Sequence, residues 1–334
     1  MSDLALGVIF ALGIAASLAS SWVLVAALER VGTLLGLTEA LLGMLAALAA
    51  NAPEITTAVT ALVRNDSRIG AGVIIGSNVF NLAALMGLAA ALAGQIALHR
   101  RVVELGGAVA LWISLVCLAV VVGLVSPFGG LLAALAAMVP YLALLGLRRE
   151  RLAQLRLPLA WRRWLKAAIA EEEAELEVAI HPPRGTSRDS VIAMGAVLVV
   201  VGASIAMERA GAELGSRAAV PEIVVGAIVL AAVTSLPNAV AAVYLAGQGR
   251  GTAVLSTALN SNALNVVVGF LLPTAILGLG SLSTQTTFVA ACYVAMTVLS
   301  LGLAYAGRGL NRSDGLLILA GYLLFVAVLV AIAV

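Results

Sequence analysis

The sequence predicts an all-α polytopic membrane protein of ten transmembrane helices, arranged as two inverted five-helix repeats. Composition is the first ground for this. Of 334 residues, 62% are hydrophobic and 11% charged, with a mean hydropathy of +1.11. Soluble domains run about 45–50% apolar and about 25% charged, so a water-soluble globule is excluded. The second ground is length: a span needs roughly 20 apolar residues, and uncharged runs of that size recur from end to end. The third is a block of proline, serine and asparagine that returns 184 residues later at matching positions.

Apolar runs bounded by charges and turn formers place the first five spans at 4–27, 37–62, 70–94, 104–126 and 127–147. The second five follow at 190–210, 221–246, 251–273, 284–307 and 314–333. Spans four and five divide at Ser126, Pro127, Phe128, Gly129 and Gly130, which read as a tight turn. The start, Met1-Ser2-Asp3, lacks the basic segment of a cleaved signal peptide, so the first run reads as a retained helix. The chain thus divides into a first repeat at 1–147, a connecting loop at 148–189 and a second repeat at 190–334. The repeated blocks themselves cover 37–94 and 221–273.

Direction follows from where the basic residues sit. One set of loops carries Arg30, Arg100, Arg101, the nine basic residues from Arg148 to Arg188, Arg250, Arg308 and Arg312, 15 in all. The opposite set carries Arg64, Arg68, Arg209 and Arg217, which is 4. The positive-inside rule puts the long loop in the cytoplasm and both termini outside, in a plasma (inner) membrane. Within that loop, Trp161, Arg162, Arg163 and Trp164 suit a membrane interface. The run Glu171, Glu172, Glu173, Glu175 and Glu177 reads as a solvated, salt-bridged helix face, since the loop chemistry of a calcium-binding hand is missing. His99 and His181 both fall in loops, which excludes a buried histidine relay. Cys117 and Cys292 lie far apart inside apolar runs and read as inert thiols. No basic surface supports nucleic-acid binding.

The repeat is the most informative feature. Pro53 matches Pro237, Ser77 matches Ser261, Asn78 matches Asn262 and Asn81 matches Asn265, all at one offset of 184 without a gap. These are uncommon residues in membrane helices, so shared greasiness does not explain the match. Each copy holds five spans, an odd number, so the second enters the membrane from the opposite side. Inverted repeats of this kind build secondary transporters whose sites lie near the bilayer midplane between the copies.

Glu54 lies near the middle of its span, while every other acidic residue is expected at a helix end or in a loop. A mid-span acid costs about 2.5–3.5 kcal/mol on insertion scales. No basic residue lies at its depth, which leaves a cation or a proton as its partner. Pro53 and Pro237 each remove a helical N–H and free a carbonyl near i−4. Such carbonyls survive in a membrane only when buried or lining a wet cavity, where they serve as cation ligands. Around them sit Asn51, Thr56, Thr57, Ser77, Asn78 and Asn81 in copy one. Copy two supplies Thr234, Ser235, Asn238, Ser256, Thr257, Ser261, Asn262 and Asn265. Amides and hydroxyls also glue helices together, and Asn78 and Asn262 fit either role. Oxygens of these types are what hard cations choose.

These residues resemble the cation/calcium exchanger superfamily, best known from sodium/calcium exchangers. Its two repeats carry a G-T-S-x-P-E motif on one helix and G-S-N-x-x-[ND] on the next. The first copy here reads Ala50-Asn51-Ala52-Pro53-Glu54 and Gly76-Ser77-Asn78-Val79-Phe80-Asn81. The second reads Thr234-Ser235-Leu236-Pro237-Asn238 and Asn260-Ser261-Asn262-Ala263-Leu264-Asn265. The resemblance implies a central site at Glu54, Asn81, Asn238 and Asn265. It also implies flanking sodium sites from Asn51, Ser77, Ser235 and Ser261 with carbonyls near Ala47, Ala50, Ala231 and Thr234. Two mobile helices would slide past this core to give alternating access.

The departures bear on the ion. Asn238 stands where the family usually has glutamate, and position 265, often aspartate, is asparagine. Glu54 alone leaves bound calcium with a net +1 in low dielectric, whereas one sodium ion or one proton would be neutral there. Two readings follow: exchange of Ca2+ for Na+ or H+, or exchange of a monovalent cation (Na+ or K+) for H+ at Glu54. The ligands are then the transported cations themselves, with no cofactor, and a monomer is expected to function alone. A channel is disfavoured because no filter-like sequence occurs. Enzymatic activity is not expected, since an intramembrane protease would need an aspartate pair, a Ser–His pair or a histidine metal motif in mid-membrane.

Overall fold

A computed structural model describes residues 1–37, 39–146, 158, 160–161, 163–170, 185–280 and 283–333. Among them, eleven helices make nine long apolar spans, or ten when one bent pair counts as a single crossing. In chain order these are α1 (Asp3–Leu34), α2 (Glu39–Ala50), α3 (Ala52–Val63), α4 (Ser67–Ala93), α5 (Arg100–Val121) and α6 (Pro127–Gly146). The second half holds α7 (Ser187–Arg217), α8 (Glu222–Gly247), α9 (Gly251–Leu277), α10 (Thr284–Gly307) and α11 (Arg312–Ala333). Helices α2 and α3 form the bent pair, at an angle of 53°.

Helices α4 and α9 are almost wholly buried at the centre, with α3 and α8 against them. That burial explains why their polar residues, rather than apolar stripes, carry the repeat. Contact between α4 and α8 depends on missing side chains. A Cβ on Gly76 would lie 2.5 Å from the Ala227 Cα, and one on Gly226 would lie 2.6 Å from the Ile69 carbonyl oxygen. Close backbone approach through small residues is how helices associate in lipid.

Helices α1 and α7 lie antiparallel along the outside of this core. They are longer than the spans predicted at 4–27 and 190–210, with 32 and 31 residues. At 1.5 Å per residue each runs about 47 Å, well past a hydrocarbon layer of roughly 30 Å. Charged residues that read as span ends are instead carried inside the helices and paired between them. Arg30 meets Asp189 at 2.6 Å at one end, and Arg217 meets Asp3 at 2.8 Å at the other. Between them, the Ser17 and Ser204 hydroxyls share a 2.9 Å hydrogen bond. One consequence corrects the placement of acidic residues: Glu208 is not at a helix end but nine residues inside α7, and it is fully buried.

The turn between α5 and α6 lies at 122–126, so Pro127, Phe128, Gly129 and Gly130 belong to the helix. Pro127 takes the first helical position, where no N–H is needed, and the Ser126 hydroxyl accepts from the Gly129 N–H at 3.2 Å. A second departure from the all-helical expectation is an antiparallel pair of three-residue strands, β1 (Gln95–Ala97) and β2 (Gly309–Asn311), with Ile96 opposite Leu310. Strands this short leave no periodic trace in sequence. Cys117 is buried and Cys292 half-buried.

Of the connecting loop, residues 163–170 are helical. The Trp164 indole N–H donates to Glu104 at 3.2 Å, and Trp161 is exposed. Arg162, the glutamate run from Glu171 to Glu177 and His181 lie outside the described residues.

Candidate cation-binding site

The site begins at the break between α2 and α3. Asn51 occupies it with φ −85° and ψ 0°, and Pro53 follows in the first turn of α3. Proline cannot donate to the carbonyl four residues back, and the Ser21 hydroxyl of α1 donates to that oxygen, on Ala49, at 3.1 Å. Ser21 also approaches the Ala50 carbonyl at 3.4 Å, while the Ala47 carbonyl accepts the Asn51 N–H at 3.0 Å. Copy two differs. Pro237 stays inside a continuous α8, and the irregularity comes earlier, as a π-helical stretch at Val225–Leu230.

The second motif behaves alike in both copies. Helix α4 turns π-helical at Leu82–Leu88, directly after Asn81, and α9 does so at Asn265–Leu271. Single π turns inside α-helices are frequent at functional sites, because widening the ladder re-aims side chains and loosens carbonyls.

Hydrogen bonds join these elements about a pseudo-twofold axis. The Asn78 amide donates to the Asn262 carbonyl at 3.1 Å, and the Asn262 amide returns a bond to the Asn78 carbonyl at 3.0 Å. The Asn81 amide donates to the Asn262 side-chain oxygen at 3.0 Å, and Asn265 donates to that of Asn78 at 3.1 Å. Asn78 and Asn262 therefore act as the clasp between copies. Around the α2–α3 break, the Asn238 amide donates to the Asn51 side-chain oxygen at 2.9 Å. Asn51 in turn donates to the Ser261 carbonyl at 3.0 Å. The Ser235 hydroxyl donates to Glu54 Oε1 at 3.0 Å.

After these bonds, a particular set of oxygens remains. Glu54 Oε2, Asn81 Oδ1, Asn265 Oδ1, the Thr57 hydroxyl and the Ser261 hydroxyl are buried without a hydrogen-bond partner among the described residues. Native interiors satisfy the large majority of such groups, and each exception calls for an ion, a water or a functional role. Five of the nine such atoms among the described residues belong to α3, α4 and α9, as carboxylate, amide and hydroxyl oxygens that a cation or a proton would satisfy, and the other four are on Glu208, Tyr293 and Ser300. Glu54 is completely buried and its one hydrogen-bonding side chain is neutral.

The remaining candidates are accounted for as follows. Ser77 reaches toward the Ala231 carbonyl at 3.5 Å, which also accepts from the Thr234 hydroxyl at 3.2 Å. Thr234 bonds the Leu230 carbonyl as well, at 2.9 Å. Ala47, Ala50 and Asn238 line a cavity of about 340 Å3 between α1, α2 and α8, together with Ser21, Glu29 and Tyr244. That cavity connects the site to the Arg30 end of the molecule. Ser21 and Thr57 carried no role in the sequence beyond Thr57's place in the cluster. Ser21 lies outside both repeated blocks, and only its place with Ser17 and Ser20 in an apolar run marks it.

A profile of the sodium/calcium exchanger protein family matches residues 5–148 and 190–331. No curated protein sequence matches the chain. Among solved structures, the H+/Ca2+ exchanger CAX is similar at 13% identity and a TM-score of 0.70, covering 98% of this chain and 86% of its own. The sodium-calcium exchanger NCX_Mj, soaked with 10 mM Na+ and zero Ca2+, is similar at 18% identity and a TM-score of 0.59. Native YfkE gives 14% and 0.61, and for both structures 98% of this chain and 99% of theirs are covered. At these identities the likeness is one of fold.

Proposed function

The chain belongs to the sodium/calcium exchanger protein family, and we propose that it is a secondary antiporter exchanging Ca2+ for Na+ or H+ at a mid-membrane site centred on Glu54. The observation that carries this reading is the set of buried oxygens left unfilled on three helices: Glu54 Oε2 with Thr57, Asn81 Oδ1, and Ser261 with Asn265 Oδ1. A cation entering along the 340 Å3 cavity passes Asn238 and meets Glu54, whose other oxygen is held by Ser235. Asn51 and Asn238, bonded to each other, close the wall beside it. Sodium or a proton competing for Glu54 then releases the ion, and the α1–α7 pair carries access from one face to the other.

Charge distribution supports a cytoplasmic Arg30 end and an outer Arg64 end in a plasma (inner) membrane, which makes the cavity an inward-facing path. A second reading, monovalent cation against proton, is favoured by one observation: Glu54 is the only carboxylate among the matched motif positions.

The deciding experiment is calcium-45 uptake into proteoliposomes of the purified protein under an outward sodium gradient, an outward proton gradient and none. Gradient-driven uptake that disappears in Glu54→Gln is the expected result, and the effective gradient names the coupling ion. Glutamine keeps the acceptor for Ser235 and loses only the charge. Absence of uptake by folded protein under every gradient would overturn calcium exchange and leave the monovalent reading. Full uptake by Glu54→Gln would remove Glu54 from the mechanism.

A further inference from the structure

The pseudo-symmetry of the fold pairs each gate with a counterpart, and the two are chemically unequal. In the outer helices the run Ala27-Leu28-Glu29-Arg30-Val31-Gly32 returns as Ala206-Met207-Glu208-Arg209-Ala210-Gly211, an offset of 179. By that match Glu29 corresponds to Glu208. In the core the offset is 184, so Arg64, which ends α3, corresponds to Gln248, which ends α8. At the Arg64 end the crossing of α7 over α3 therefore carries a glutamate and an arginine. The equivalent crossing of α1 over α8 carries a glutamate and a glutamine.

The structure differs at these two crossings in the same sense. At the Arg30 end α1 stands off α8, and the cavity lined by Ser21, Trp22 and Asn238 lies between them. At the Arg64 end α7 packs along α3, and Glu208 is buried to 0% exposure in that contact. Arg64 reaches Glu208 Oε2 at 3.8 Å while also meeting Asp66 at 3.6 Å. Arg209 on α7 is the next charge along, lining the shallow vestibule above with Asp66 and Glu213. Among the described residues, neither Glu208 oxygen accepts a hydrogen bond. A buried carboxylate without hydrogen bonds depends on its ion pair, and removing one partner leaves an uncompensated charge.

Glu208 belongs to the α1–α7 pair and Arg64 to the core. Arg30–Asp189 and Arg217–Asp3 tie α1 to α7 at both ends, so a movement of one outer helix carries the other. We propose that Glu208 and Arg64 form a charged latch that holds the Arg64 end closed and biases the protein toward the state open at the Arg30 end. The proposal rests on the alternating-access reading above. It adds that the two gates are unequal: α3 offers Glu208 an arginine, whereas α8 carries Gln248 at the matching position.

The test needs no transport. Full-length protein with Cys117 and Cys292 replaced by alanine receives a single cysteine, Ala61→Cys or Ala241→Cys, and is purified in detergent. Ala61 is buried on α3 two turns beyond Glu54 toward Arg64, whereas Ala241 lines the open cavity. Labelling by a charged thiol reagent reads which path is open, irrespective of orientation in a membrane. With the latch intact, Ala241→Cys reacts much faster than Ala61→Cys. Glu208→Gln or Arg64→Gln should raise the Ala61→Cys rate about tenfold, and the charge swap Glu208→Arg with Arg64→Glu should lower it again. Arg64 is partly exposed, so its variant keeps the test alive if Glu208→Gln does not fold. Unchanged Ala61→Cys labelling in a folded single variant, or a swap that labels as fast as the single variants, overturns the latch. The calcium-45 assay fails or succeeds separately, so a wrong ion assignment is distinguishable from a wrong latch.

Discussion

Restoring a carboxylate at position 238 measures how far charge limits this site. Asn238 now donates its amide to the Asn51 side-chain oxygen at 2.9 Å, and Asn51 is held in that orientation by donating to the Ser261 carbonyl at 3.0 Å. In Asn238→Glu that donor is lost and a carboxylate faces an amide oxygen, so the ion-free protein is destabilised by about 1–3 kcal/mol. With calcium bound, Glu54 cancels one of its two charges and the new carboxylate cancels the other. At an effective dielectric near 20, a unit pair about 4 Å apart is worth about 4 kcal/mol. The hydrogen bond is missing from the free and the bound protein alike and cancels in the affinity, which leaves a gain of up to about 4 kcal/mol, roughly a thousandfold. The assay is isothermal titration of calcium into purified wild-type and Asn238→Glu protein, with thermal unfolding in calcium and in chelator alongside. The expected result is tighter calcium binding together with a lower melting temperature in chelator. Equal calcium affinity in a folded Asn238→Glu protein would refute the reasoning, because it would mean that the site does not sense charge at position 238.

Two further predictions concern the core that holds the site. Asn78→Ala strands the Asn265 amide and the Asn262 carbonyl, so a loss of about 1–3 kcal/mol is expected in thermal unfolding. The double variant with Asn262→Ala should cost less than the sum of the singles, since both remove one clasp; strict additivity would mean that the two asparagines do not act together. Gly76→Ala forces a methyl against the Ala227 backbone, a clash that neither helix relieves by rotating a side chain, and should cost about 1–3 kcal/mol. Gly202→Ala on α7 meets nothing within 4 Å and is expected to be neutral or stabilising by up to about 1 kcal/mol. Equal melting temperatures for the two glycine variants would argue against the close α4–α8 contact.

Much of the protein was legible without coordinates, because the bilayer leaves few choices. Apolar runs of span length must be helices in lipid, and an odd number of them per repeat dictates inversion. A lone acid and repeated amides in the middle of such runs are costly enough to stand out, so Glu54 and the polar clusters around Pro53 and Pro237 were visible by composition and offset, whereas the set Glu54, Asn81, Asn238 and Asn265 came from the family resemblance. The span ends were legible less well. Glu29, Arg30, Glu208 and Arg209 read as termini, yet α1 and α7 continue past them, and Arg30 and Glu208 meet Asp189 on α7 and Arg64 at the end of α3, charges that sequence shows only one at a time.

What the tertiary structure decided is how polar groups are shared. Sequence offers Asn78, Asn81, Asn262 and Asn265 as equals, but hydrogen bonding is pairwise and saturable. Asn78 and Asn262 are consumed in clasping the copies, leaving Asn81 and Asn265 each with a free buried oxygen. The two prolines, likewise equal in sequence, differ in the fold: the helix breaks before Pro53, where the Ser21 hydroxyl of α1 donates to the Ala49 carbonyl, and runs on through Pro237. Glu208 became visible as a buried charge only when α7 was laid against α3. Local chemistry and its repetition are properties of the chain, whereas which oxygen remains unfilled depends on the neighbours that folding brings to it.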